Sequence, residues 1–401
     1  MRLLPLTLIA ALALFGCTSK AGNDKENTDQ IGSALPETSN KPNQEKTYLY
    51  ITTVDKLILR EAPTTQSKAL SKLSEGAFVY GKNEVSENRE EIVLRDIPYN
   101  KPFYKVTALN NPEQNGWAYG GGLRCIYTGP IEGRPELGPI SKLGKFIQSL
   151  NSRDLKSGGR LWQFVRQNFK DAEGSLADAV FIQTEGFLRR MDLEGEYYTE
   201  TETINWTNAD FGAIADDKFD MSKYPQTQKL GENGFRLEMA EGYVFPIIDW
   251  SKLNDFFGSK CTPPMKIYLD ERTQEQIRQE YNDGAIIIPL NELADRAAFW
   301  EKFNTQNPDF PLSDETQDSE RFSWEILLTG SDNTPAILYD QKKVSPEFRS
   351  MWEYTIKTYP GTQLAKRIQA MYDLCASENW KYTPAVEKHL IQVVGYTTIV
   401  Q

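Results

Sequence analysis

The stretch Leu57-Ile58-Leu59-Arg60-Glu61-Ala62-Pro63 decides the fold of the first folded region. It is a short apolar run that stops at a proline, the pattern of a strand feeding a turn. The flanking residues repeat that texture. Tyr48-Leu49-Tyr50-Ile51 precedes it; Ala69-Leu70-Ser71-Lys72-Leu73 alternates after it and breaks at Glu75-Gly76. Ala77-Phe78-Val79-Tyr80, Phe103-Tyr104-Lys105-Val106 and Gly116-Trp117-Ala118-Tyr119 complete the series. Short runs at close spacing, punctuated by Gly and Pro, predict a compact all-β unit over 47–130.

The order of these pieces resembles the bacterial SH3 (SH3b) family. The matching positions are Leu57, Leu59, Arg60 and Pro63; Leu73 and Gly76; Tyr104, Lys105 and Val106; then Gly116, Trp117, Gly122 and Leu123. The resemblance implies a small SH3-like β-barrel that binds cell-wall peptide, glycan or a protein partner without catalysis. In such a groove Tyr104, Trp117 and Tyr119 would offer flat stacking faces and Arg60 a fork for a carboxylate. The same rings suit a barrel core equally well. Two departures stand out. Ile58 replaces the usual Asn between the opening leucines, and a charged insertion from about Lys82 to Lys101 lengthens one loop.

Upstream, Met1-Arg2 gives a positive start, Leu3 to Phe15 is an apolar run, and Leu14-Phe15-Gly16-Cys17 follows. A positive n-region, an apolar core too short to span a bilayer comfortably and a small residue before the cut define an export signal over 1–16. The last four residues resemble the lipobox of bacterial lipoproteins. That implies lipidation of Cys17 and a membrane anchor at the N-terminus. Phe15 is bulkier than the usual occupant. Thr18 stands where many Gram-negative lipoproteins carry an inner-membrane Asp signal, so the resemblance favours an outer membrane if the organism has one. From Thr18 to Lys46 there is no aromatic residue and almost no aliphatic one, so 17–46 reads as a lipidated, flexible spacer.

Downstream, 140–401 reads as a mainly α-helical domain. Leu161, Phe164, Val165 and Phe169 share a helical face. Leu176, Val180 and Phe187 share another, on which Gln183 is the one polar intruder; Leu293, Ala297, Trp300 and Phe303 make a third. Ser345-Pro346 and Thr383-Pro384 are N-cap and first-turn signals, and three closing helices follow over 351–358, 363–376 and 385–394. Ile286-Ile287-Ile288-Pro289 suits a strand or a buried connector. The stretches 241–250 and 333–340 resemble segments of uncharacterised helical domains on bacterial surface lipoproteins. Glu241, Tyr243, Asp249 and Trp250 could line a pocket there, or form a connector between helices.

Composition narrows the chemistry. The 401 residues carry 45 Lys and Arg against 56 Asp and Glu, a net charge of −11 that argues against nucleic acid. His389 is the only histidine, and no cysteine sits in a nucleophile or C-x-x-C motif. No H-E-x-x-H, G-x-S-x-G, S-x-x-K, P-loop or dinucleotide fingerprint occurs, and no cofactor is implied. With Cys17 lipidated, Cys261 and Cys375 are available to pair as a disulfide, leaving Cys125. The expectation is a non-enzymatic envelope lipoprotein: a small all-β SH3-like barrel followed by a mainly helical domain. The alternatives are an envelope hydrolase using a carboxylate pair among Glu185, Glu241 and Asp249, and a lipoprotein that binds a small solute.

Overall fold

A computed structural model describes residues 46–394. The expected export segment, Cys17 and the expected spacer lie outside the described residues, apart from Lys46.

Eight strands form one antiparallel sheet: β1 (Lys46–Thr52), β2 (Leu57–Arg60), β3 (Ala69–Leu73), β4 (Phe78–Gly81), β5 (Val85–Leu94), β6 (Ile97–Ala108), β7 (Asn111–Tyr119) and β8 (Leu123–Pro130). Their order is β3-β2-β7-β6-β4-β1-β8, with β5 paired to β6. The sheet curls over one apolar face, where Tyr50, Leu57, Leu59, Leu73, Val79, Phe103, Val106 and Tyr119 make a core of their own. It does not close, and this corrects the expected SH3-like barrel. β3 and β8 end the strand order as two edges rather than pairing with each other. Two features distinguish it from a small closed barrel. The presumed loop insertion is a ribbon: β5 and the first half of β6 pair from Leu94↔Ile97 to Arg89↔Pro102. Its turn residues Arg95 and Asp96 both have positive φ (54° and 66°), the twist a two-residue hairpin needs. In addition, the outer face of the β1–β8 edge is covered by helices, since Leu49, Ile51 and Ile126 pack into the helical core. The continuous run Tyr48-Leu49-Tyr50-Ile51 is apolar because both of its faces are covered.

The helices are α1 (Leu137–Gln148), α2 (Lys156–Phe169), α3 (Gly174–Glu194), α4 (Thr199–Glu202), α5 (Asn208–Ala215), α6 (Pro225–Glu232), α7 (Trp250–Phe257), α8 (Pro263–Ile277), α9 (Leu290–Gln306), α10 (Ser313–Thr329), α11 (Pro346–Thr358), α12 (Gln363–Ser377) and α13 (Pro384–Val394). They build two cores. The first joins the β1–β8 edge to α1, α2, α3, α7 and α8, with Trp162, Phe181, Phe257 and Tyr268 at its centre. The second holds Leu327, Ile337, Phe348, Trp352, Ile368 and Leu390. Helix α9 belongs to both: Leu293 and Ala297 face the second core, Trp300 and Phe303 the first. Three hairpins with two-residue turns interrupt the helices. They turn at Glu241-Gly242, Asp283-Gly284 and Asp332-Asn333. Asparagines tie them side by side: the Asn282 side chain donates to the Met239 carbonyl at 2.9 Å, and the Asn333 amide to that of Gly284 at 2.9 Å. No helix among the described residues is long and apolar enough to cross a membrane.

The expected thiol pairing does not form. Cys261 packs against the first core, Cys375 is buried in the second, and both are free, as is Cys125.

Candidate functional site: a cleft between sheet and helices

A cleft of about 270 Å³ lies where the curled sheet meets α3. One wall carries Tyr50 from β1, Tyr99 and Tyr104 from β6, the Gly120-Gly121 turn, and Arg124 and Cys125 from β8. The other wall carries Gln183, Phe187, Arg189, Arg190 and Glu194 from α3. Segment 310–315, entering α10, closes one end. Helix spacing explains the second wall: 183, 187, 190 and 194 recur every three to four residues along one face.

Behind the cleft sits a buried ionic centre. Glu185 is fully buried and holds two guanidiniums. Arg124 Nη2 donates to its Oε2 at 2.5 Å, and Arg189 Nε to its Oε1 at 2.9 Å. Arg124 also donates from Nη1 to Glu315 at 3.0 Å, so β8, α3 and α10 are tied through one side chain. Burial would raise the Glu185 carboxyl, but Arg189 and Arg124 outweigh it and hold the group below the ordinary carboxylate range. Glu185 is therefore a fixed anion, unsuited to donating a proton.

The remaining cations of the cleft are also paired. Arg95 and Arg190 both reach Glu75, at 2.9 and 3.4 Å, and Lys101 reaches Asp314 at 3.5 Å. Tyr104 donates to Asp314 at 3.3 Å. Burial pushes the hydroxyls of Tyr50, Tyr99 and Tyr104 up, so all three stay neutral. Four polar atoms of residues lining this region have no hydrogen-bond partner among the described residues: Gln183 Nε2, Arg124 Nε, Arg190 Nε and Glu194 Oε1. Gln183 is only 7% exposed. Each of the four atoms is enclosed by protein, so the cleft as it stands does not reach them.

The residues proposed from sequence are dispersed. Of the groove set, Tyr104 alone lines the cleft. Arg60 donates to the Ser67 carbonyl at 2.8 Å and stabilises its own turn. Trp117 pairs opposite Arg60 in the sheet, under Lys105 at 5.9 Å. Tyr119 is buried, with the carbonyls of Tyr99 (2.5 Å) and Glu90 (2.8 Å) sharing its single hydroxyl proton. The four helical-region candidates do not converge either. Glu241 lies in an exposed two-residue turn and Tyr243 follows it, 75% exposed. Asp249 caps α7 by accepting from the Lys252 amide at 3.0 Å, and Trp250 packs on Phe181 and Tyr268. Glu185, Glu241 and Asp249 thus stand in three separate settings rather than as a facing pair. Among the described residues no group of His, Cys, Asp and Glu could hold a metal.

Sequence reasoning missed Arg124, Arg190 and Glu194. A signal existed for Gln183, the polar residue on an otherwise apolar helical stripe. Compared with known proteins, the chain matches no family model, no curated protein and no solved structure.

Proposed function

We propose that the protein is an exported, lipid-anchored ligand-binding protein of the cell envelope, and that it engages its ligand in the cleft between sheet and helices. The observation that carries the reading is the cleft itself, walled by tyrosines of the sheet on one side and by a polar face of α3 on the other. Its volume lies just under the roughly 300–1,000 Å³ of typical small-molecule sites, which suits a compact ligand. Fixed ion pairs and neutral tyrosines give the cleft the rigid, mixed polar and apolar walls that suit ligand binding. The lipobox-like Leu14-Phe15-Gly16-Cys17 supports the anchor and the extracytoplasmic location, and the polar spacer gives reach toward cell wall or an envelope partner.

Two experiments test it. A thermal-shift screen of compact polar compounds should yield ligands that protect 99–104 and 183–194 from hydrogen exchange; ligands whose protection maps elsewhere would refute the site. Labelling with radioactive palmitate should mark the wild type and leave Cys17→Ser unlabelled; equal labelling would refute the anchor.

A further inference from the structure

We infer that the seam between the two helical cores is a latch worked by a proton: Glu271 and Glu280, set around Glu275, hold the proton while the seam is shut, and giving it up loosens the hairpin at 281–286 from α8. The inference does not depend on the cleft being the ligand site.

Position comes first. Helix α8 belongs to the first core through Met265, Tyr268 and Leu269, and it carries Glu271 and Glu275 one turn apart on the same face. Glu280 follows α8 and leads into the hairpin, whose Tyr281 and Ile286 pack on the second core. Arg296, 8% exposed, comes from α9, the helix both cores share. A change of charge among these groups therefore acts where one core gives way to the other.

Their charges do not balance. Arg272 donates to Glu275 at 2.9 Å and to the Ser319 hydroxyl of α10 at 2.7 Å, and Glu275 also accepts from the Trp300 indole at 2.8 Å. Arg296 donates to the Arg278 carbonyl at 2.6 Å and to Glu292 at 3.3 Å, while Arg278 holds Glu292 at 2.5 Å. Glu280 Oε2 is left facing Arg296 Nη1 at 3.5 Å without a hydrogen bond, and protein encloses both atoms. Glu271 has no ion pair or hydrogen bond among the described residues, and meets only the charges of Glu275, Arg296 and Arg272. Glu238, from the hairpin at 235–248, is a further carboxylate, beside Gln279. Along α8, its connector and α9, four carboxylates thus share three guanidiniums, and one negative charge is left where water reaches poorly.

An unmatched buried carboxylate is relieved by a proton. Burial and the Glu275 charge push both Glu271 and Glu280 up to about 7. A carboxyl raised in this way favours the shut seam while protonated, and that support is lost as pH climbs through 7. The repelling carboxylates then gain by parting toward water.

Amide hydrogen exchange of the full chain at pH 6 and pH 8, corrected for the intrinsic rate, tests this. For one proton held at about 7 when shut and at the ordinary 4.5 when open, the opening constant of 278–300 should rise about tenfold between the two, while α2 and α3 stay level. Gln imitates the protonated acid, so the Glu271→Gln, Glu280→Gln double variant should keep its pH 6 protection at pH 8, and Glu280→Gln alone should show a smaller rise than wild type. An opening constant in wild type that is flat from pH 6 to 8 overturns the latch. An equal rise in α2 and α3 overturns the seam as its place. The full rise persisting in both variants overturns the two glutamates as its proton holders.

Discussion

Replacing Glu185 by Gln should unfold the junction between sheet and helices more easily than any other single charge change in the protein. The side chain has no exposed surface, and Arg124, at 18%, has little. Gln keeps the shape and removes the charge, leaving the Arg124 guanidinium desolvated with only Glu315 (3.0 Å, 26% exposed) to compensate. Breaking a buried pair this way costs about 3–5 kcal/mol. Arg189 is 43% exposed and can turn to water, and Glu315 retains part of the Arg124 charge, so the lower end, about 3 kcal/mol, applies. With about 2–4 °C per kcal/mol for a large domain, the melting temperature should fall by roughly 6–12 °C. The pH dependence gives a second handle. The native Glu185 carboxyl is held below the ordinary value of 4.5. Its contribution is thus complete above that value and is lost as pH falls through the native one. The gap between wild type and Glu185→Gln should be full at pH 7 and shrink toward pH 3. Urea denaturation followed by tryptophan fluorescence measures both, and adding Arg124→Met should recover part of the loss through coupling. A variant within about 0.5 kcal/mol of wild type at pH 7, or a gap unchanged at pH 3, would refute the reasoning.

Three further outcomes are expected. Burial and the nearby Glu275 charge push Glu280 up to about 7. A carboxyl raised in the native state favours folding while protonated, and that contribution disappears as pH rises from 4.5 through 7; Glu280→Gln should therefore gain in melting temperature relative to wild type between pH 5 and 8, and parallel curves would contradict this. Trp352 is fully buried in the second core and its indole donates to the Leu327 carbonyl at 2.7 Å, so Trp352→Ala should cost about 3–5 kcal/mol in urea denaturation; a cost below about 1 kcal/mol would show that core to be loosely packed. Gly158 lies in α2 where a Cβ would come 2.2 Å from the Asn233 carbonyl oxygen, so Gly158→Ala should destabilise despite alanine's helix preference of about 1 kcal/mol, and a stabilised variant would show that the contact yields.

Much of the local structure was readable from the chain. Apolar alternation marked the strands around Leu57 and Leu59, and the closing helices expected at 351–358, 363–376 and 385–394 occur at 346–358, 363–377 and 384–394. The proline-led starts made these ends legible, since Ser345-Pro346 and Thr383-Pro384 act through adjacent backbone groups. The ribbon of β5 and β6 was not read, because its charged residues are solvent-facing and only pairing reveals them as strands. Gln183 was visible as a polar break in an apolar stripe, yet its meaning was not, because the opposite wall lies elsewhere in the chain. Arg124 looked like an ordinary strand residue; its partners are 61 and 191 positions away.

The sequence by itself determined the positions of the apolar strands and of the closing helices, since these follow from periodicity and from residues adjacent in the chain. Only the tertiary structure decided that the sheet stays open, that Cys261 and Cys375 remain apart, and that a cleft with unpaired polar atoms forms against α3. Those outcomes depend on which distant surfaces bury one another, and burial free energy is non-directional, so no local pattern encodes the partner.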